Sequence, residues 1–253
     1  MMINSEMKIN CDMGESFGIW TLGCDDQIMP YLDMANIACG MHASDPKVML
    51  DTVRLAKRYQ VTIGAHPGYP DLQGFGRRTI PLSDDELLAS FIYQIGALQA
   101  ICRSESTQLS YVKPHGALYN TMMKDDHVFT ILLRAMERCA DSLPLVIMGV
   151  PNADKYVQMA NDYGITLLFE AFVDRAYDDD GRLVPRHVTG STYHDLDTIR
   201  RQAIELMRNQ RVMTLSGNFL NIHAHTLCIH GDGPMALPTA QMLRQELEAG
   251  VLS

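Results

Sequence analysis

Short apolar runs alternate with longer amphipathic segments along almost the whole chain. The longer segments place apolar residues three or four positions apart, as a helix requires, and the short runs have the length of buried strands. Strands that alternate with helices build a parallel sheet, because each helix returns the chain to the start of the next strand. The predicted strands are residues 8–11, 35–39, 61–64, 109–113, 145–148, 167–170 and 227–230. This number of strands suits a closed or nearly closed α/β barrel.

Polar residues of the capping type mark where several helices begin. Asp45 precedes Pro46, which combines a capping side chain with a proline in the first turn. Ser83 and Glu86 have the spacing of a capping box. Further helices are predicted over about 126–140, 152–163, 195–209 and 234–248. We predict that residues 1–253 form one α/β domain, a single barrel.

The segment between Glu170 and Leu227 is far longer than one helical crossover needs. It contains three consecutive aspartates, residues 178–180, and a turn-like sequence at 216–218. Barrels often carry such insertions as lids or as surfaces for a partner. The aspartates predict a solvated turn, with a cation site as the alternative.

Ionisable side chains, glycine and proline gather where the predicted strands end. In a parallel α/β fold these ends lie on one rim, so side chains from distant parts of the sequence meet there. The pattern therefore predicts an enzyme whose site is built from several loops. The candidate site residues are Asp12, Glu15, His42, His66, Arg77, Lys113, His115, Glu170, Asp174, Arg175, Arg186, His230 and Asp232.

The first clusters offer carboxylates and imidazoles that suit a metal ion. Asp12 and Glu15 follow the first strand, where they can hold a metal, orient a base or cap a helix turn. Two oxygen ligands suit Mg²⁺, whereas an aspartate with histidines suits Zn²⁺ or a related metal. Asp12, His42 and His66 are the candidate metal ligands.

Standard metal-binding spacings are absent from the sequence, which has no HExxH, HxxxH or CxxC. His223 and His225 would face the same side of an extended segment, but a polar strand face explains this pair equally well. Local structure also explains two acids near the clusters, since Asp45 fits a helix cap and Asp71 fits a turn.

The segment Lys113-Pro114-His115-Gly116 places a lysine at the end of an apolar run. Such a lysine is expected to extend a flexible cation over the site, where it can stabilise phosphate or oxyanion charge. The neighbouring proline and glycine fix the backbone direction on either side of His115. The imidazole of His115 can transfer a proton near neutral pH. The alternative is a lysine at a strand end beside a surface histidine.

Several arginines are available to bind a carboxylate or a phosphate. Arg77, Arg78, Arg175 and Arg186 offer fork-shaped donors, although ion pairs with the chain's own acids are the common alternative. No GxxxxGK[ST] loop and no GxGxxG fingerprint occurs, so no standard nucleotide site can be assigned from the sequence.

Composition narrows the class of protein. A net charge of −9 argues against a general nucleic-acid or anionic-membrane binder. No apolar stretch reaches the length of a membrane span and no signal peptide is evident, so a cytoplasmic protein is expected. The six cysteines lack any CxxC pair and are expected to be reduced. Cys11, Cys39 and Cys228 lie beside polar clusters, and small apolar fillers are favoured over thiolate nucleophiles.

The polar blocks in their order resemble one known family, the LamB/YcsF family. The blocks are NCDMGESFG, ANIACGMHASDP, GAHPGYPDLQGFGRR, VKPHGALYN, EAFVDRAYDDDGRLVPR and CIHGD, and the resemblance runs from about residue 7 to 247. It implies an irregular seven-stranded (β/α) barrel, similar to the glycoside hydrolase and deacetylase barrels. It also implies ATP-dependent opening of the lactam 5-oxoproline to L-glutamate, in a 5-oxoprolinase complex with two other subunits, B and C.

The resemblance also implies roles for the site residues. A phosphorylated lactam requires cations for the phosphoryl charge, a donor for the oxyanion and a base for water. Lys113 would neutralise the activated oxygen or phosphate, and His115 or His66 would transfer the proton. Asp12 with Glu15 would position water or Mg²⁺. The predicted substrate contacts are His42, Arg77, Glu170, Asp174, Arg175, Arg186, His230 and Asp232, with Arg175 or Arg186 gripping the substrate carboxylate.

Two other functions stay open at this point. One is a metal-dependent amidase or deacetylase that acts without ATP, and the other is a non-catalytic subunit that presents a lactam or a nucleotide to its partners. The sequence also leaves open whether ATP binds to this chain or to a partner.

Overall fold

Seven parallel strands close into a barrel in the computed structural model, which describes residues 7–140, 142–231 and 233–249. The described residues form nine strands, of which seven belong to the barrel and two lie outside it. They are β1 (Lys8–Met13), β2 (Met34–Ala38), β3 (Thr62–His66), β4 (Tyr111–Val112), β5 (Leu145–Met148), β6 (Leu167–Phe172), β7 (Arg211–Met213), β8 (Phe219–Asn221) and β9 (Thr226–Ile229). The barrel order is β1-β2-β3-β4-β5-β6-β9, closed by the pairing of β9 with β1, while β7 and β8 form a separate antiparallel hairpin. The predicted seven-stranded α/β barrel is confirmed. That one domain spans residues 1–253 stays a prediction.

Helices pack against the outside of the barrel. They are α1 (Asp25–Ile28), α2 (Pro46–Arg58), α3 (Asp84–Ser104), α4 (Gly116–Met122), α5 (Asp126–Cys139), α6 (Asp154–Asn161), α7 (Leu196–Asn209) and α8 (Ala236–Glu248), with a 3₁₀ turn at Met29–Tyr31. Every predicted helix is present. Helices α6 and α8 begin later than expected because the residues before them form turns.

The capping residues act as predicted. The Asp45 side chain accepts hydrogen bonds from the backbone N–H groups of Lys47 at 2.7 Å and Val48 at 3.1 Å. Ser83 and Glu86 form a reciprocal capping box at the start of α3. Each bond satisfies a backbone donor that the helix itself leaves unpaired, so local sequence fixes these helix starts.

Alternation along β1 separates an outer face from an inner one. Ile9, Cys11 and Met13 belong to the main apolar core between the barrel and the helices. Asn10 and Asp12 turn the other way and make hydrogen bonds inside the barrel. The ladder with β2 continues through Met13, beyond the predicted end of the strand. Asp12 therefore lies within a strand rather than in the loop that follows it.

Two other strands also extend further than predicted. Parallel pairing carries β3 to His66 and β6 to Phe172, so His66 is a strand residue and Glu170 is not at the end of its strand. In contrast β4 ends at Val112, which places Lys113 just beyond the strand. The polar clusters thus begin inside the barrel and not only on its rim.

The long segment between β6 and β9 contains α7 and the β7–β8 hairpin. The Asp178 carboxylate accepts hydrogen bonds from the backbone of Asp180 at 3.1 Å and Arg182 at 2.8 Å. Asp179 accepts one from Thr214 at 2.6 Å. The predicted turn is confirmed, and its second aspartate ties the turn to the hairpin.

Within the described part of the chain, no helix is long and apolar enough to cross a bilayer. The six cysteines are free, and Cys11, Cys39 and Cys228 are buried. Burial raises the pKa of the Cys39 thiol to about 12. Burial, with the charge of Asp12, also raises the pKa of Cys11 well above its ordinary value. These thiols are neutral packing groups, as the sequence favoured.

Candidate active site

A buried ion-pair network fills the barrel interior beneath the rim. Lys113 Nζ lies 3.1 Å from Asp12 Oδ1 and 2.9 Å from Glu170 Oε2. The same ammonium donates to Asn10 Oδ1 at 3.1 Å and lies 3.0 Å from Cys228 Sγ. All five side chains belong to buried residues. The expectation of a flexible cation over the site is therefore wrong, because these contacts hold the ammonium inside the barrel.

Mutual charge keeps this network ionised. Burial opposes a charge on Asp12, yet its neighbours His66 and Lys113 hold the pKa of Asp12 well below its ordinary value. Burial also opposes a charge on Lys113, and the charge of Asp12 above all raises the pKa of Lys113 well above its ordinary value. Both groups are therefore charged at neutral pH.

Buried amides and a tyrosine complete the network, and the sequence assigned no role to them. Asn36 Nδ2 donates to Asn10 Oδ1 and to Asp12 Oδ1, both at 2.8 Å. Tyr111 donates its hydroxyl to Asn36 Oδ1 at 2.7 Å. The signal in the sequence was an asparagine within an otherwise apolar strand, since a buried amide requires hydrogen-bond partners.

Glu170 does not lie on the rim where a substrate contact was predicted. Its side chain is fully buried, and Oε2 accepts from Lys113 and, at 3.3 Å, from Asn10 Nδ2. Its other oxygen, Oε1, has no hydrogen-bond partner among the residues that the structure describes. Glu170 is thus a counter-ion of Lys113 in the barrel interior.

Three imidazoles and a carboxylate form a second buried cluster at the carboxyl ends of the strands. Glu15 Oε1 lies 3.2 Å from His42 Nε2 and 3.7 Å from His115 Nδ1. His115 Nδ1 lies 3.0 Å from His66 Nε2, which in turn lies 3.3 Å from Asp12 Oδ1. One potential ligand atom from each of Glu15, His42, His66 and His115 lies within 4.8 Å of the other three. The structure thus adds Glu15 and His115 to the predicted metal candidates.

The loop of residues 71–78 covers this cluster. Asp71 accepts from the backbone N–H of Gly74 at 3.0 Å, which confirms the predicted turn. The turn brings the Phe75 carbonyl to 2.9 Å from His115 Nε2. Gly76 has a φ of +62°, and a Cβ there would lie 2.7 Å from atoms of two cluster histidines. Glycine is therefore required at this position for the loop to lie against the rings.

A cavity of about 470 Å³ opens above the cluster. Glu15, His66, His115 and His230 line it, together with the arginines Arg77, Arg175 and Arg186. Arg175 is buried and donates to the carbonyls of Val184 at 2.7 Å and Ser191 at 3.1 Å. Burial, with the charge of Arg186, lowers the pKa of Arg175 to about 10. Guanidinium groups in the wall of a cavity suit an anionic carboxylate or phosphate.

A carboxylate–imidazole pair borders the same cavity. His230 Nδ1 lies 2.8 Å from Asp174 Oδ2, and the imidazole stacks on Phe172 with ring centroids 5.6 Å apart. Burial opposes the charge of Asp174, but the neighbouring His230 and their hydrogen bond lower the pKa of Asp174. Since Nδ1 faces a carboxylate it carries the hydrogen, which leaves Nε2 able to accept a proton.

Other residues singled out in the sequence lie outside this site. Arg78 forms an ion pair with Asp71 and belongs to the covering loop. His223 and His225 contact Phe169 and are absent from the cavity lining. Asp232, a predicted substrate contact, lies outside the described residues.

A closed parallel barrel with buried ionisable groups and a cavity at the carboxyl ends of its strands has the organisation typical of (β/α)-barrel enzymes. Within this class the chain belongs to the LamB/YcsF family, whose model matches residues 7–253. The family resemblance found in the sequence is confirmed.

Similar proteins cover almost the whole chain. A protein of Vibrio parahaemolyticus that is named as the A subunit of 5-oxoprolinase is 50% identical over 251 residues, which is 99% of each chain. A protein of the same name from Pseudomonas fluorescens is 47% identical over 243 residues, covering 96% of this chain and 97% of the relative. The crystal structure of a lactam utilization protein from Thermus thermophilus is 40% identical, with a TM-score of 0.89 and coverage of 96% of both chains.

Proposed function

We propose that this chain is the A subunit of a 5-oxoprolinase, which opens 5-oxo-L-proline to L-glutamate with hydrolysis of ATP. One observation carries the proposal: His230, paired with Asp174, lines the same cavity as several arginines. The substrate is a small lactam with one carboxylate, so it needs a cation for the carboxylate and a base for water. The names of relatives that are 46–50% identical support the same assignment.

The lactam amide is a poor electrophile, and phosphorylation of its oxygen removes that difficulty. The γ-phosphoryl group of ATP is transferred to the amide oxygen, and water then adds to the ring carbonyl carbon. Cleavage of the ring C–N bond and release of phosphate yield glutamate, ADP and phosphate. The protein must position the reactants, stabilise negative charge and accept a proton from water.

His230 is the proposed base. Its Nδ1–H donates to Asp174, which fixes the imidazole and leaves Nε2 to accept the proton of water. The sequence pointed to His115 or His66 for this step, but both lie in the buried cluster. Burial foremost lowers the pKa of His115 to about 3, so this imidazole is a weak base.

The arginine wall is proposed to bind the substrate carboxylate. Arg175 is held by two backbone carbonyls and gives the wall a fixed charge, while Arg186 is exposed at its edge. Lys113 also lines the cavity and contributes positive charge, and Asp12 keeps it in place. Charges held in this way can stabilise an activated oxygen without reorganising.

ATP and Mg²⁺ are proposed as co-substrates of the assembled enzyme. Mg²⁺ prefers oxygen ligands, whereas imidazole nitrogens of His42 and His115 lie 3.2 Å and 3.7 Å from Glu15 Oε1. The residues around Glu15 therefore do not fit Mg²⁺, and we assign this ion to the ATP phosphates instead.

Subunits B and C are the proposed partners, and the complex is proposed to work in the cytoplasm. The loop after β1 exposes 92% of Ile19 and 68% of Trp20, and Phe17 stacks on Trp20. Large apolar side chains exposed together typically mark a contact surface. Because Trp20 is the one tryptophan of the sequence, its fluorescence reports directly on whether a partner covers this loop.

The test is a 5-oxoproline-dependent assay of ADP and glutamate release by this chain alone and with subunits B and C. The complex should turn over 5-oxoproline, and His230→Gln should abolish most of the turnover while the exposed His127→Gln does not. Absence of turnover by the wild-type complex would overturn the function. Near-normal turnover by His230→Gln would overturn only the choice of base.

A metal-dependent amidase that needs no ATP is the second candidate, favoured by the cluster of Glu15, His66 and His115. Lactam opening by the chain alone, in the absence of ATP, would establish it. In a third outcome the chain binds the lactam, but no substitution in its cavity changes turnover by the complex. That result would identify the chain as a binding subunit.

A further inference from the structure

The far nitrogens of two cluster histidines fix their tautomers. His66 Nδ1 lies 2.7 Å from the Lys113 carbonyl oxygen, and His115 Nε2 lies 2.9 Å from the Phe75 carbonyl oxygen. A carbonyl oxygen only accepts, so each of these nitrogens carries the ring hydrogen. In a neutral imidazole the other nitrogen then holds a lone pair. His66 Nε2 and His115 Nδ1 therefore both present lone pairs, and they lie 3.0 Å apart.

Carboxylate oxygens converge on the same place. Asp12 Oδ1 lies 3.3 Å from His66 Nε2, and Glu15 Oε1 lies 3.7 Å from His115 Nδ1. All four side chains are buried. The Lys113 ammonium already lies beside Asp12. The two imidazole lone pairs that face each other in this buried site still repel unless a cation lies between them.

A shared proton and a metal ion are the two cations small enough to lie between these atoms. His66 and His115 are both buried, and burial opposes a net positive charge on an imidazole. A metal ion instead uses the neutral form of each imidazole.

The distances fit a single ion. Two atoms bound to one tetrahedral ion at about 2.1 Å lie about 3.4 Å apart. The observed separations are 3.0 Å between the two imidazole nitrogens and 3.7 Å between His115 Nδ1 and Glu15 Oε1. Histidines that bind a metal usually donate their other ring N–H to a backbone carbonyl or a carboxylate, and both of these rings do so.

We propose that His66 Nε2, His115 Nδ1 and the carboxylate of Glu15 bind a divalent transition-metal ion of the Zn²⁺ type, with its remaining coordination positions open to the cavity. Two imidazoles and one carboxylate are a common ligand set for such ions. The site is a property of the chain itself and does not depend on the reaction proposed above.

His42 orients this site rather than binding the ion. Its ring stacks on His115 at 3.6 Å with an angle of 6°, so the lone pairs of the two rings cannot point at one ion within both ring planes. His42 Nε2 instead donates to Glu15 Oε1 at 3.2 Å. Its Nδ1 has no hydrogen-bond partner in the described part of the chain, which costs less for a lone pair than for an N–H. His42 is thus a positioning residue for the carboxylate.

The test is calorimetric titration of Zn²⁺ into the full chain after removal of metals with a chelator, together with visible spectroscopy of the Co²⁺-loaded protein. We expect one Zn²⁺ per chain and Co²⁺ bands typical of four or five ligands that include imidazole. His66→Gln and His115→Gln should each weaken Zn²⁺ binding at least about 100-fold, and His42→Gln should weaken it about 10-fold. His127→Gln, an exposed histidine on α5, is the matched control and should leave binding unchanged.

Circular dichroism and thermal unfolding must first show that the variants are folded. If the wild-type chain binds Zn²⁺ no more tightly than the folded His66→Gln and His115→Gln variants, the metal site is wrong and a proton is shared by the two histidines. The wild-type Co²⁺ spectrum decides the question even if the variants do not fold, because bands of free aqueous Co²⁺ would exclude imidazole ligation. Neither measurement uses catalytic turnover, so the failure of this proposal and of the proposed function are separate outcomes.

Discussion

Lys113 and His230 both carry a nitrogen beside a carboxylate, but they lie in very different surroundings. Lys113 is buried in the barrel interior, where Asp12, Glu170 and Asn10 surround its ammonium. His230 is half-buried on the cavity wall and contacts Asp174 through one ring nitrogen. The ammonium of Lys113 is enclosed by several protein groups, whereas His230 also lines the cavity, where another molecule can reach it. The comparison supports a structural role for the interior network and agrees with the proton transfer that we propose for His230.

Two carboxylates, Asp12 and Asp25, also differ in how their surroundings affect the charge they carry. Asp12 and Asp25 both lie near the start of the chain, and burial opposes ionisation of each. Cations surround Asp12 and hold its pKa well below its ordinary value. Asp25 accepts a hydrogen bond from Gly14 but lies near the like charge of Asp26, and burial raises the pKa of Asp25 to about 6. Partners, rather than burial alone, therefore decide which way a carboxyl group shifts.

The largest expected effect comes from removing the interior cation. Lys113→Met leaves two buried carboxylates without their counter-ion, and we expect it to lower the free energy of unfolding by about 3–5 kcal/mol. Urea unfolding followed by circular dichroism measures this loss. Lys47→Met, which removes an exposed ion pair with Asp51, is the control and should change stability very little. A fully stable Lys113→Met would show that the interior network is not structural.

The second effect should appear in turnover and not in stability. Asp174→Asn removes the charge that fixes His230 and should lower kcat of the assembled complex by about 100-fold or more. The unfolding transition should change little, because the asparagine oxygen can still accept from His230 Nδ1. If Asp174→Asn lowered stability as severely as kcat, Asp174 would have a structural role like that of the interior network.

The third effect is a dependence of stability on pH. The pKa of Asp25 is raised to about 6 in the folded protein, so the folded state binds a proton there more tightly than the unfolded state. The resulting contribution to the free energy of unfolding is fully present below the unfolded pKa of about 3.9 and is lost as the pH rises through about 6. The wild type should lose about 2 kcal/mol between about pH 4 and pH 7 from this group. Asp25→Asn should remove that part of the pH dependence in urea titrations at several pH values. An unchanged pH profile would contradict the burial argument.

The smallest expected effect concerns substrate affinity at the exposed edge of the wall. Arg186→Ala should raise KM for 5-oxoproline about tenfold with little change in kcat, as for the loss of one charged hydrogen bond. Arg200→Ala, which removes an ion pair with Glu246 outside the cavity, is the control. A drop in kcat without a change in KM would indicate that Arg186 acts in the catalytic step and not in substrate binding.

Local patterns predicted the elements of the fold well. Asp45 and Ser83 could be recognised as helix caps because a cap needs only residues within the same turn. The number of barrel strands could also be counted, since each buried strand is a short apolar run. Strand ends were less predictable: β1 and β6 continue past their predicted limits because neighbouring strands extend the hydrogen-bond ladder.

Most site residues could be named from the sequence, but their surroundings could not. Glu170 is chemically suited to bind a substrate, and only the register of β6 shows that it faces Lys113 inside the barrel. Asn36 was overlooked because a single asparagine in a strand carries no chemistry until its partners are known. His66 and His115 are far apart in the sequence, and the carbonyls that fix their tautomers come from two other segments.

The sequence by itself thus determined the barrel, its helix starts, its family and the residue types available for chemistry. These features depend on the spacing of apolar residues, on helix-capping residues and on the order of the polar blocks. All three can be recognised in the sequence without knowledge of distant contacts. Only the tertiary structure decided that Lys113 is enclosed, that His230 pairs with Asp174 beside the cavity and that Glu15 meets His66 and His115. Burial and the distance between charges control each of these properties, and both arise only when the barrel closes.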